Sequence, residues 1–174
     1  MAEKLFISWE DYNSTVEKLA IQIADSGYKP DILIGIMRGG APIIDVLSRV
    51  FKLKCAYLAV ESYSGKGIED QQGQLIFSRE MSSTVKDLGG NLLLCDDLSD
   101  TGTTLNRSID WLKKYPPLKG KIKDIKTAIL WKKKQSTFEA DYCAIKLSNN
   151  PWIVQPFEKY EEIRVEDLKK KHQK

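Results

Sequence analysis

The chain has 174 residues, with 27 Lys and Arg against 24 Asp and Glu, a formal charge of +3, three cysteines and one histidine. At about 150 residues per domain this length predicts a single domain, large enough to bury roughly 70% of its extended-chain surface without disulfide or metal. The one histidine, His172, stands in the terminal run KKKHQK, which excludes HExxH zinc chemistry, a Cys/His zinc cage and a Ser-His-Asp triad.

Ser8 and Asp11 form an S-x-x-D capping pattern. Behind it Val16, Leu19, Ala20 and Ile23 recur at helical spacing, and Gly27 marks a stop. Apolar runs then predict strands at 31–36, 54–60, 91–95 and 126–131, with a weaker one at 142–147. Runs that are apolar throughout suit strands buried on both faces of a parallel sheet. Helical patterns lie between them, at 41–51 and at Leu105, Ile109 and Leu112. The expected fold class is α/β, a single domain over 1–174 with a central, mainly parallel sheet flanked by helices. The stretch 62–90 is rich in Ser, Gly, Gln and charge, with only Leu75-Ile76-Phe77 apolar, and reads as a long mobile loop that could hold a short hairpin. Residues 169–174 read as a disordered tail. Cys55, Cys95 and Cys143 lie in apolar stretches without a CxxC pair, the start MAEKLFISWED lacks an apolar signal core, and no run approaches a membrane span of about 20 residues. The expectation is a cytoplasmic protein with reduced thiols.

The most informative stretch is Leu92-Leu93-Leu94-Cys95-Asp96-Asp97-Leu98-Ser99-Asp100-Thr101-Gly102-Thr103-Thr104-Leu105. An apolar strand runs into two acids, then a third acid and a Thr/Gly cluster that opens a helix. Ligands of open α/β sheets bind at the carboxyl ends of strands. A helix N-terminus with small residues offers amides and hydroxyls to a phosphate. Three carboxylates beside such a cradle suit a ligand that also carries hydroxyls or a divalent cation. A helix cap and a strand end would explain any one of these acids, but not three acids and TGTT together. Gly65-Lys66 lacks the upstream glycine of a P-loop, and 35–40 reads G-x-x-x-G-G, unlike the G-x-G-x-x-G of dinucleotide binders.

LLLCDDLSDTGTTL resembles the signature of the type I phosphoribosyltransferases. The resemblance implies that Asp96 and Asp97 face the ribose hydroxyls of phosphoribosyl pyrophosphate (PRPP). It further implies that Asp100, Thr101, Gly102, Thr103 and Thr104 hold the 5′-phosphate, and that Asp100 is the general acid/base near purine N7. Four more segments match in chain order. Ile36-Met37-Arg38-Gly39-Gly40 is similar to the family's pyrophosphate loop, with Arg38 and Gly39 as contacts. Glu61-Ser62-Tyr63 is similar to the start of the mobile catalytic loop, which makes Ser62 and Tyr63 catalytic candidates. Ile129-Leu130-Trp131-Lys132 ends a strand in lysine, which in the 6-oxopurine branch donates to purine O6; Lys133 and Lys134 follow directly, so the register leaves a neighbouring lysine open for that role, and the plain structural reading of those two is a solvated basic turn. The segment 148–160, with NPWIVQPFE, resembles the hood of the xanthine–guanine enzymes, so Trp152 and Ile153 would wall the purine. Val154 stands where those enzymes can carry an acid, leaving Glu158 as the substitute candidate for Mg²⁺.

By this resemblance the chain is a Mg²⁺-dependent 6-oxopurine phosphoribosyltransferase of purine salvage. Its partners would be PRPP and a purine base, with no membrane or nucleic acid, and it would form a homodimer or homotetramer. Asp96, Asp97 and Glu158 are the metal candidates. The alternative is a PRPP-sensing regulator of the same fold that binds nucleic acid. The +3 charge and the lysines at 132–134 and 169–171 permit that reading, and the missing helix-turn-helix segment argues against it.

Overall fold

Ser8 does start a helix. Its hydroxyl accepts from the Asp11 amide at 3.0 Å while the Asp11 carboxylate takes the Ser8 amide, closing a capping box over α1 (Trp9–Asp25). The structure, a computed structural model, describes residues 3–62 and 75–173, the side chain of Ser62 excepted. The predicted catalytic pair Ser62-Tyr63 therefore has no described side chain, and Tyr63 lies outside the described residues.

In chain order β1 (Lys4–Phe6) and α1 are followed by β2 (Ile32–Met37), α2 (Gly40–Phe51), β3 (Cys55–Ser62), β4 (Leu75–Phe77) and β5 (Ser82–Ser83). Then come β6 (Gly90–Ser99), α3 (Thr103–Lys114), β7 (Ile122–Lys132), β8 (Tyr142–Lys146), β9 (Trp152–Val154), α4 (Lys159–Glu162) and α5 (Val165–His172). The large sheet runs β4-β3-β2-β6-β7-β8, with β5 also on β3. Its four central pairings, from β3 to β8, are parallel, and β4 and β5 add to β3 antiparallel. This is the α/β architecture expected.

The uninterrupted apolar runs have a direct cause. Successive strand residues point to opposite faces, and both faces are covered. Leu33, Leu93 and Cys95 pack beneath α1 and α2, with Tyr12, Val16, Ile43 and Leu47. Ile32, Ile34, Leu92 and Leu94 pack on the other side with Leu105 and Leu112 of α3. Each fully buried Leu or Ile contributes about 1.5–3 kcal/mol.

The structure departs from the sequence reading in four places. Strand β6 does not stop at Cys95: its pairing with β7 continues through Asp96↔Ile129, Leu98↔Trp131 and Ser99↔Lys132, so the two acids sit inside a strand. The second half of 62–90 carries structure, because Phe77 stacks on Trp111 at 6.3 Å and Trp111 on Tyr115 at 4.5 Å, while the Tyr115 hydroxyl accepts from the Met81 amide. Residues 169–172 continue helix α5 rather than a disordered tail. Glu166 and Asp167 in its first turn and Lys169 to His172 in its last complement the helix dipole. Last, Lys4–Phe6 and Trp152–Val154, which showed no strand signal, pair in parallel as a separate two-stranded sheet. Among the described residues no helix is long and apolar enough to cross a membrane.

Candidate active site

Strand order reverses at β2: the chain leaves it toward β3 and returns to its other side with β6. Such a switch point opens a crevice at the carboxyl ends of the two strands. Here it is lined by the loop Met37–Gly39 on one side and by Asp96 and Asp97 on the other. The approach is very close. A Cβ on Gly39 would overlap the Asp97 carboxylate, and one on Gly40 would overlap the Cys95 carbonyl. Gly40 is therefore required sterically, since the atom it meets is main chain, whereas a side chain at Gly39 would displace the Asp97 carboxylate. Arg38 stands exposed at the rim, its Nη2 2.7 Å from Glu161 of α4.

The two acids differ sharply. Asp96 is buried, and burial, reinforced by the charge of Asp97, pushes its carboxyl well above the usual range. The Asp97 amide donates to Asp96 Oδ1 at 3.0 Å, which partly offsets this. Asp97 is half-buried and accepts from Nε2 of Gln155, the residue after β9. The Gln155 Oε1 and the Tyr12 hydroxyl are both buried without a described partner. Burial and then the two carboxylates raise the Tyr12 phenol, keeping it neutral.

Beyond Ser99 the chain turns through Asp100-Thr101-Gly102 into α3. Gly102 has φ +92°, and a Cβ there would overlap Phe138, so two independent reasons select glycine. The Thr101 and Thr103 hydroxyls lie 2.9 Å apart, and Thr101 Oγ1 accepts from the Thr103 amide. Residues 96–105 line a cavity of about 230 Å³ at the helix N-terminus. First-turn amides lack intrahelical partners, and the dipole there favours an anion. The predicted phosphate residues Asp100, Thr101, Gly102, Thr103 and Thr104 are thus brought to one concavity.

On the far side of this loop the lysines are sorted in an unexpected way. Lys132 is buried, and its ammonium is held by Glu139. Lys133, expected in a solvated turn, is 6% exposed, and its Nζ lies 3.1 Å from Asp100 Oδ1 and 6.0 Å from the Trp152 ring centroid. The cause is the end of β7: adjacent side chains diverge there, and the Lys133 amide bonds Ser99 O at 3.0 Å, holding the residue over β6. Asp100 also accepts from Gln135 Nε2. Trp152 is 58% exposed, a flat ring with one face available, whereas Ile153 is buried beneath it. The lysines at 132 and 133 thus form no open basic patch. The sequence held Gln155 only as part of the 148–160 hood segment, named Lys133 only as a neighbour of Lys132 and did not single out Gln135; the fold brings the three side chains to this crevice.

A second cavity, of about 710 Å³, joins Arg38, Gly39, Asp97, Trp152 and Glu158. Among the described residues no group of three or more His, Cys, Asp or Glu could hold a metal ion by itself. Mg²⁺ commonly takes one or two carboxylates and completes its shell with water and substrate phosphates. Asp97 and Glu158, hard oxygen donors on one cavity, fit that mode. Asp96 is the poorest of the three expected donors, since its burial disfavours the carboxylate.

Comparison with known proteins agrees with this geometry. Residues 8–162 match the phosphoribosyl transferase domain family. The chain is 29% identical over 152 residues to a hypoxanthine-guanine phosphoribosyltransferase of Aquifex aeolicus, covering 83% of this chain and 80% of that protein. A crystal structure of a purine phosphoribosyltransferase from Pyrococcus horikoshii superposes with a TM-score of 0.70 at 28% identity, over 93% of this chain and 97% of that one. A Helicobacter pylori xanthine-guanine-hypoxanthine phosphoribosyltransferase shares the fold, with a TM-score of 0.72 at 24% identity over 97% and 99%.

Proposed function

The chain belongs to the phosphoribosyltransferase family, and from that premise we propose that it transfers the 5-phosphoribosyl group of PRPP to N9 of a 6-oxopurine, with Mg²⁺, releasing pyrophosphate. The observation that carries the choice of base is the Lys133 ammonium, 3.1 Å from Asp100 and beside the Trp152 ring. A donor and an acceptor at that spacing match the O6 and N7–H of a 6-oxopurine whose ring stacks on Trp152. An amino group at C6 would instead set a donor against the ammonium, leaving a buried polar group unpaired.

In this reading the TGTT loop takes the 5′-phosphate, Asp97 the ribose hydroxyls, and Arg38, released from Glu161, the pyrophosphate. The lone pair of N9 forms the new bond to C1′. The C1′–O bond breaks, its electron pair leaves on pyrophosphate, and the N7 proton passes to Asp100. Mg²⁺ would be held by Asp97, Glu158 and the pyrophosphate, and it neutralises charge developing on the leaving group. Lys133 holds the Asp100 carboxylate in place until the base arrives.

The test is to incubate the pure protein with PRPP, Mg²⁺ and each of xanthine, guanine, hypoxanthine, adenine and uracil, following nucleotide and pyrophosphate. The expected result is product with 6-oxopurines at rates at least about 100-fold above adenine or uracil, the discrimination available to a site that hydrogen-bonds its ligand. Absence of product with every purine overturns the reading. A salt-sensitive shift of nucleic-acid mobility without pyrophosphate release would establish a sensor instead.

A further inference from the structure

We infer that Gln155 is a positioning residue that locks the Asp97 carboxylate in the conformation needed to receive the ribose of PRPP. The inference rests on the reading of Asp97 as the ribose-facing acid. Asp97 is held from two sides. The Gly39 backbone comes so close to the Asp97 carboxylate that a side chain at Gly39 would displace it, and the Gln155 amide donates to Oδ2. That contact fixes one oxygen and leaves Oδ1 for a ligand.

The choice of residue is informative. Gln155 is 5% exposed, and its Oε1 is buried with no partner described. A leucine or methionine would fill the same volume without an orphaned oxygen, so packing does not account for glutamine here. Arginine or lysine would also hold Asp97, but each would neutralise the charge meant for the hydroxyls. A neutral amide donor orients the carboxylate and leaves its charge intact. Gln155 directly follows β9, the strand that carries Trp152 and Ile153. One short strand end therefore shapes the proposed purine wall and sets the ribose acid.

The experiment compares the native chain with Gln155→Leu and Gln155→Glu, each alone and in an Asp97→Asn background. PRPP with Mg²⁺ is titrated by calorimetry, and steady-state kinetics are measured beside it. Gln155→Leu should raise the Kd and KM for PRPP by about tenfold, the scale of a hydrogen bond to a charged group, with purine KM and kcat each within about threefold. Gln155→Glu, isosteric but without the amide donor, should lose more than Gln155→Leu. In the Asp97→Asn background the Leu effect should shrink to about twofold or less, because the two residues act as one unit. Thermal midpoints should be unchanged or higher, since Leu removes a buried orphan oxygen. PRPP binding by Gln155→Leu within about twofold of native, or equal losses in both backgrounds, overturns the inference. A native chain that binds PRPP but makes no nucleotide defeats the transfer reading and leaves this comparison intact. A native chain that does not bind PRPP defeats both.

Discussion

The two halves of the candidate site are built on different principles. The phosphate and ribose half is a single stretch, Asp96 to Thr104, in which backbone amides, glycine conformation and neighbouring hydroxyls make the surface. The proposed purine half is assembled from Asp100, Lys133, Gln135 and Trp152, side chains from three segments brought together by the ends of β6, β7 and β9. A contiguous cradle is hard to alter by point substitution where main-chain amides and glycine make its surface, as in the turn from Thr101 to Thr104. A discontiguous wall stands or falls on individual side chains. The first suits a group common to all its ligands, the second a group that must be discriminated.

Four substitutions would break or sharpen this contrast. The largest effect is expected where the halves meet. Asp100→Ala should lower kcat by about 100- to 10,000-fold, the usual worth of a positioned acid–base group. Calorimetric PRPP affinity should hold within about threefold, because main-chain amides continue to hold the phosphate. Near-native turnover would assign the proton to another group. Next comes the lysine pair. Lys133→Met should raise purine KM by roughly tenfold or more, and Lys132→Met, whose ammonium already belongs to Glu139, by less than about threefold. The reverse order would return the purine contact to Lys132.

The smallest effect concerns stability. The Asp96 carboxyl is raised in the folded state by burial and by Asp97, so the native state holds its proton more tightly than the unfolded chain does. Ionised Asp96 therefore costs stability as pH rises above the unfolded value of about 3.9. Asp96→Asn should raise the thermal midpoint at pH 7 and lose that advantage near pH 3. A midpoint gain equal at both pH values would show that charge is not the cause.

Much of the framework was legible in the residues. Strands β2, β6 and the second half of β7 announce themselves because burial on both faces forces unbroken apolar runs, and the Ser8–Asp11 cap marks α1 by its own hydrogen bonds. The phosphate loop was legible because its parts are consecutive. Lys133 was not: next to Lys132 in sequence it is chemically identical, and only the path of the chain off β7 sends one ammonium to Glu139 and the other to Asp100. Gln155 stood within the hood motif, but its tie to Asp97 was hidden because the two lie 58 positions apart. The β1–β9 pairing was invisible because three-residue strands have no periodicity to read. The persistence of β6 through Asp96 and Asp97 was masked by the acids themselves, which by composition mark a loop.

That small β1–β9 sheet ties the hood to the opposite end of the chain. Lys4, Leu5 and Phe6 pair with Trp152, Ile153 and Val154, the Trp152 amide bonds Glu3 O at 2.7 Å, and Asn149 Nδ2 reaches Glu3 Oε2. Two three-residue strands share few hydrogen bonds, so their amides should exchange with solvent faster than those of the large sheet, while Ile153 stays anchored in the core with Tyr12, Leu93 and Trp131. An affinity tag fused ahead of Glu3 would load this pairing directly, whereas one placed after α5 would leave it alone. The choice of fusion end thus becomes an experimental variable for the hood.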